Sequence, residues 1–271
     1  MENLKDKVVV ITGAARGMGK LHALNFAREG SRVVATDVDG KELEKAVGEL
    51  EGMGFDVFPY LLDVSERDAC FALVEKVESE VGPIDILINN AGVVECYEVL
   101  EHSEYSIRRI TDVNYLGQVW MMQAAVPGMV SRGCGHVVNM CSVTGKASAA
   151  KGAFYSATKH ALIAVTDAIR QELRKSGVNF TIINPGYVST GMFEGARVPF
   201  ITSWQDPQKV SDAVVEAVKR NRAEVCIPRF NVRLAALSRA MCWPKFTDFY
   251  FHILKVDKSG DTWRKDPTRP F

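Results

Sequence analysis

The sequence predicts an α/β protein built on one doubly wound, mainly parallel sheet. Short β-rich apolar runs alternate with helical patterns through the first half of the chain, the β-α-β-α order that lays helices against a parallel sheet. The apolar runs are continuous rather than alternating, as strands covered on both faces read. The 271 residues contain no repeat, low-complexity segment or linker, so residues 1–271 read as a single domain.

Taken in order, Lys7 to Thr12 is the first strand, and a glycine-rich turn leads into a helix over Gly19 to Glu29. Arg32 to Thr36 is the second strand, followed by a helix over Lys41 to Glu51. Asp56 to Leu62, Ile84 to Asn89 and His136 to Met140 continue the series of buried strands. Phe154 to Lys175 is helical in composition, and Asn179 to Asn184 is a strand ended by the turn pair Pro185-Gly186. Asp206-Pro207 offers a capping side chain and then a proline in the first turn of a helix. Val210, Ala213, Val214, Ala217 and Val218 share one face of it. Glu224 to Ile227 is the last strand.

Composition removes several function classes. Lys and Arg number 33 and Asp and Glu 33, so the chain is neutral and lacks the basic surplus that a nucleic-acid binder carries. No apolar run reaches the roughly 18 to 20 residues that span a bilayer. The run Val8 to Ile11 is too short for a signal-peptide core, so a cytoplasmic protein is expected. The six cysteines form no CxxC pair and the five histidines no HExxH, so reduced thiols and no metal site are expected.

The turn Thr12-Gly13-Ala14-Ala15-Arg16-Gly17-Met18-Gly19 lies between a strand and a helix, where glycines let the backbone approach a pyrophosphate at the helix N-terminus. The second strand runs into Asp37, at the distance where a carboxylate accepts the adenosine ribose hydroxyls and repels a 2′-phosphate. Arg16 argues the other way, since a guanidinium in the loop could pair with such a phosphate. The balance favours NAD, with NADP as the alternative. Asn89-Asn90-Ala91-Gly92 stands where the fourth strand leaves the sheet, the end at which parallel sheets bind ligands.

With Ser142, Tyr155 and Lys159 added, the sequence resembles the short-chain dehydrogenase/reductase family, in the family's order over roughly Lys5 to Gly191. The match extends to Asp63, Asn114, Pro185-Gly186 and Thr190. The resemblance implies a Rossmann fold, a nicotinamide cofactor and reversible hydride transfer between an alcohol and a carbonyl. It also implies a homodimer or homotetramer. Carried over residue by residue, Gly13, Arg16, Gly17, Met18, Gly19 and Asp37 would bind the cofactor. Asp63 and Val64 would flank its adenine, Asn90 would lie by the ribose, and Val188 and Thr190 would meet the nicotinamide carboxamide, with Ala91, Gly92, Pro185 and Gly186 also binding the cofactor. Cys141 and Met18 depart from the commonest pattern, at positions that hold no reacting group.

Hydride addition to a carbonyl develops negative charge on oxygen, so the site needs a proton donor and a hydrogen-bond donor beside it. Tyr155 is the expected general acid or base and Ser142 the residue that orients the substrate oxygen. Lys159, at i+4 from Tyr155 on one helix face, is expected to lower the phenol's pKa and bind the cofactor ribose. Asn114 is expected to anchor a proton-relay water. A non-catalytic dinucleotide sensor and an NADPH-linked carbonyl reductase are the alternative readings.

Gly191 to Trp204 (residues 191–204) is irregular and carries Met192, Phe193, Val198, Pro199, Phe200 and Trp204, so it reads as an apolar lid over a steroid, retinoid or fatty alcohol. Phe193 is its candidate substrate contact. In the C-terminal extension, residues 229–271, Phe246, Phe249, Tyr250, Ile253 and Leu254 form one helical stripe. Such a stripe is expected to pack against the domain or another subunit, and the basic residues that flank it make peripheral contact with an anionic membrane the alternative.

Overall fold

The computed structural model of the protein describes residues 1–193, 195, 198, 203–228 and the single positions 237, 249, 252 and 253. Among the described residues seven strands form one parallel sheet: β1 Val8–Thr12, β2 Arg32–Asp37, β3 Val57–Leu61, β4 Ile84–Asn89, β5 Gly135–Met140, β6 Val178–Pro185 and β7 Glu224–Ile227. Their order across the sheet is β3-β2-β1-β4-β5-β6-β7. The order reverses between β1 and β4, which opens a crevice at the carboxyl ends of these strands.

Helices cover both faces. On one face α1 (Gly17–Arg28), α2 (Gly40–Glu51) and α7 (Pro207–Lys219) bury Phe26, Val47 and Val214 against Val9, Ile11 and Ile86. On the other, α3 (Arg67–Glu80), α5 (Gly117–Arg132) and α6 (Ala153–Glu172) bury Val77, Met121 and Leu162 against Val10, Leu87 and Val137. The short α4 (Glu104–Thr111) leads into a π-helical turn at Asp112–Leu116 and so into α5. Each fully buried side chain of this kind contributes about 1.5–3 kcal/mol relative to exposure, which is why β1 carries apolar residues on both faces.

Three expectations are corrected. The third strand is not buried throughout: it is an edge strand, and its Pro59 and Leu61 are exposed. The helix after Tyr155 stops at Glu172 rather than Lys175, at the turn before Gly177, whose φ is +80°. Pro185 does not break β6 but closes it, paired with Ile227, and the turn follows at Gly186. Of the proposed lid, Pro199 and Phe200 lie outside the described residues. So does most of the C-terminal stripe; Phe249, His252 and Ile253 are helical and exposed. No helix among the described residues is long and apolar enough to cross a membrane.

Candidate active site

The glycine turn is held by the Asn89–Gly92 segment beside it. Thr12 Oγ1 accepts from the Asn90 and Ala91 amides, each at 3.0 Å, while Asn90 Nδ2 donates to the Thr12 and Gly13 carbonyls, each at 3.0 Å. Gly13 has φ +67°, and a Cβ on Gly19 would stand 1.9 Å from the Gly13 carbonyl oxygen, so neither position admits a side chain. The Asn90 amide, expected by the ribose, therefore braces the loop instead.

The turn delivers an open helix end. Side chains cap α2 (Asp39 accepting from Glu42), α4 (Ser103 from Ser106) and α7 (Asp206 from Gln208), whereas α1, like α3, α5 and α6, has no side-chain cap; at Arg16 it also follows the glycine turn with no acidic residue in its first turn. Uncapped amides and the positive end of the helix dipole fit a phosphate group. Gly17 packs against Thr190, whose Cβ would lie 3.3 Å from a Cβ there, so the turn after β6 closes the other side of this end.

Asp37 accepts from the Ala15 and Asp39 amides, each at 3.0 Å, and keeps lone pairs for further donors. Arg16 pairs with the Asp39 carboxylate. Asp39 is held below the usual carboxylate range chiefly by the Glu42 amide, against the opposing effect of desolvation and with the help of Arg16. Asp63 is exposed and accepts from the Ser65 amide at 2.9 Å. Val64 is buried beneath Gly117. Met18 is packed against the core. Val188 is 1% exposed and points into the core, so only its backbone is offered to a ligand, and its carbonyl accepts from the Thr190 amide at 2.9 Å.

Past β5, Ser142, Tyr155 and Lys159 converge. Ser142 Oγ accepts from the Thr144 amide at 3.2 Å and lies 3.0 Å from Thr144 Oγ1. It also hydrogen-bonds the Tyr155 hydroxyl. Lys159 Nζ donates to the Met140 carbonyl at 2.8 Å and sits 5.6 Å from the centre of the Tyr155 ring. Burial pushes the Tyr155 phenol above its ordinary range, with the Ser142 hydrogen bond acting in the opposite direction. Burial also pulls the Lys159 ammonium down to about 8. Burial thus dominates the Tyr155 phenol, and among the protein's own groups it is Ser142 that offsets it.

Asn114 lies in the π turn, fully buried, and its amide is anchored on Val93, accepting from its N–H and donating to its carbonyl, both at 2.7 Å. A Cβ on Gly92 would fall 3.3 Å from Asn114 Oδ1 and 3.8 Å from Lys159 Nζ, so Asn114 and Lys159 face one another across that glycine.

Residues 7–198 match the family model described as short chain dehydrogenase. The chain belongs to the short-chain dehydrogenase family. It is 37% identical over 230 residues to the ketoacyl reductase HetN of Nostoc sp., covering 84% of this chain and 80% of that one. It is 32% identical over 256 residues to retinol dehydrogenase 10-B of Danio rerio, covering 84% and 76%. A short-chain dehydrogenase/reductase of Burkholderia phymatum solved with NAD superposes with a TM-score of 0.82 at 25% identity, covering 89% of this chain and 96% of that one. A metagenomic short-chain oxidoreductase solved with NADP gives 0.74 at 27%, covering 83% and 97%. This short-chain dehydrogenase therefore has the Rossmann-type fold, in a family whose solved members bind NAD or NADP.

Its Ser142–Tyr155 pair opens on a cleft lined by Val94, Cys96, Tyr187 and Phe193 among others, and mostly apolar. Phe193 meets Tyr187 edge-on at 5.5 Å, and Tyr187 in turn meets Trp204 at 6.2 Å. Burial pushes the Cys96 thiol up to about 12, so it stays neutral. Thr144, Cys96 and Tyr187 escape a sequence reading. Thr144 alone left a signal there: it stands two residues beyond Ser142, where a hydroxyl can reach back.

Proposed function

We propose that this short-chain dehydrogenase interconverts an apolar secondary alcohol and its ketone, with NAD as the hydride carrier. The observation that carries the reading is a hydrogen-bonded Ser142–Tyr155 pair on the wall of a mostly apolar cleft. The dinucleotide, when bound, supplies or takes up the hydride. The uncapped start of α1 would hold its pyrophosphate, Asp37 its adenosine ribose, and the Val188–Thr190 backbone its nicotinamide end.

In the reductive direction Tyr155 gives its phenolic proton to the substrate oxygen, and in the oxidative direction it takes that proton back. Thr144 holds Ser142 Oγ so that its hydroxyl hydrogen is left to donate to the same oxygen. Lys159, fixed by the Met140 carbonyl, sets a positive charge beside the phenolate formed on proton loss. Asn114, fixed to the Val93 backbone through one N–H and one lone pair, keeps a second of each with which to anchor a proton-relay water.

The NAD preference rests on two carboxylates, Asp37 and Asp39, at the end of β2, with Arg16 already paired to the second. Reduced-nicotinamide absorbance with NAD and NADP over secondary alcohols from polyols to steroids tests both halves. Turnover with NAD on bulky apolar alcohols is expected, and Asp37→Ala should erase most of the preference over NADP. Turnover confined to NADP would favour the NADPH-linked reductase. Equal efficiency on small polyols would overturn the apolar assignment, and cofactor binding without turnover would favour a sensor.

A further inference from the structure

Ser156 follows Tyr155 on α6 and lines the same cleft. It is completely buried, at 0% exposure, yet its Oγ has no hydrogen-bond partner among the described residues. Its backbone amide is satisfied by the Gly152 carbonyl at 2.8 Å, so the orphan is the side chain alone. A buried hydroxyl without a partner weakens the fold relative to alanine at the same place.

Only small groups stand between this hydroxyl and the cleft. Gly152 has no side chain to cover it, and a Cβ built there would already stand 3.8 Å from Ser156 Oγ. Ala149, Ala150 and Gly186 keep the adjoining lining low. Of the other polar side chains lining the cleft, Ser142 bonds Thr144 and Tyr155, Tyr187 is engaged edge-on with Phe193 and Trp204, and the Cys96 thiol is a weak, neutral donor.

We infer that Ser156 is a second polar subsite, which hydrogen-bonds a hydroxyl or carbonyl oxygen carried on the apolar substrate away from the reacting carbon. The inference rests on the alcohol–ketone reading above and narrows its substrate class to apolar molecules with two oxygen functions. Ser142 and Tyr155 engage the first oxygen and Ser156 the second. A hydroxyl serves either kind of second oxygen because it both donates and accepts.

The test is equilibrium binding to the NAD-loaded protein of a tetracyclic steroid mono-alcohol and of its analogue with one ketone added at the far end. The wild type should bind the keto-alcohol roughly 5- to 10-fold more tightly. Ser156→Ala should bring the two affinities together while the melting temperature holds or rises, since the substitution removes an unpaired buried group. A ratio untouched by Ser156→Ala, or binding of neither ligand, overturns the subsite. So does a fall in melting temperature with equal loss of both ligands, which is what a purely structural serine would give. Nicotinamide absorbance on the same samples separates the two claims. A preference that Ser156→Ala abolishes, without turnover of either alcohol, leaves the subsite standing and removes the hydride-transfer reading; turnover with an unchanged ratio does the reverse.

Discussion

Tyr155 and Thr144 illustrate two different demands on single residues. Tyr155 moves the proton, so Tyr155→Phe should lower kcat by about 10²-fold or more, the range for losing a general acid. Thr144 acts only by holding Ser142 Oγ, through its amide at 3.2 Å and its hydroxyl at 3.0 Å. Thr144→Val keeps the amide contact and removes the other, so kcat/KM should fall about 10-fold, the worth of one hydrogen bond, with KM for NAD unchanged. Steady-state kinetics of the two variants would separate these effects, and equal losses would contradict the division of roles. At this scale the sequence was informative where chemistry dictates a residue type at a spacing, as with Tyr155 and Lys159 one helical turn apart. It was uninformative about the partners of Asn90 and Asn114. Both carry amides that the fold anchors on backbone groups, the first on Thr12 and Gly13 and the second on Val93, across gaps of 21 to 78 residues.

Between elements, the decisive contacts are polar groups buried where helices and strands meet. His22 of α1 meets Ser211 of α7 at 3.0 Å, and Asn25 donates to Ser211 at 3.0 Å and to Asp212 at 2.8 Å. His136 of β5 faces Thr181 of β6 at 2.8 Å, and Thr181 gives its only hydroxyl hydrogen to the Arg222 carbonyl at 2.6 Å. His136 therefore donates from Nε2, and its buried Nδ1 has no partner among the described residues. Burial pulls His22 down to about 3 and His136 to about 4. In the unfolded chain both protonate near 6.5, so between there and the folded values the unfolded state binds more protons. Stability is whole above about pH 6.5 and is lost as pH falls toward 4 and then 3. By pH 5 the loss should reach about 2 kcal/mol for each histidine. Urea unfolding at pH 7 and pH 5 checks this, and a flat profile would contradict it. The strand order of an element such as β3 is a tertiary outcome, which is why its local apolar pattern read as buried although Pro59 and Leu61 face solvent. The uncapped start of α1 was legible as a glycine turn, but its contrast with the capped α2, α4 and α7 emerged only with the caps in view.

For the whole molecule, the sheet order puts the glycine turn of β1, the Asn89–Gly92 segment of β4 and the Ser142 turn of β5 along one rim. A dinucleotide on that rim would touch both halves of the sheet, so its binding should stabilise the folded chain as a unit. At a hundredfold excess over Kd the gain is about 2.7 kcal/mol, seen as a single melting transition shifted upward by NAD. Gly19→Ala should abolish that shift, because its Cβ cannot coexist with the Gly13 carbonyl. A shift that survives the substitution would place the cofactor elsewhere.

The edge strand β3 has a further consequence. The Leu62 amide donates inward to the Asp37 carbonyl, and by strand alternation the amides of Val57 and Leu61 point outward, with Pro59 between them. At that middle position the rim of the sheet offers no N–H at all. A stray strand from another molecule would find two anchoring amides separated by a ring, too few to zip onto, so this border is protected against templated aggregation. The proline that spoils β3 as a central strand thus suits it to be the last one, and keeps the sheet at seven strands on that side.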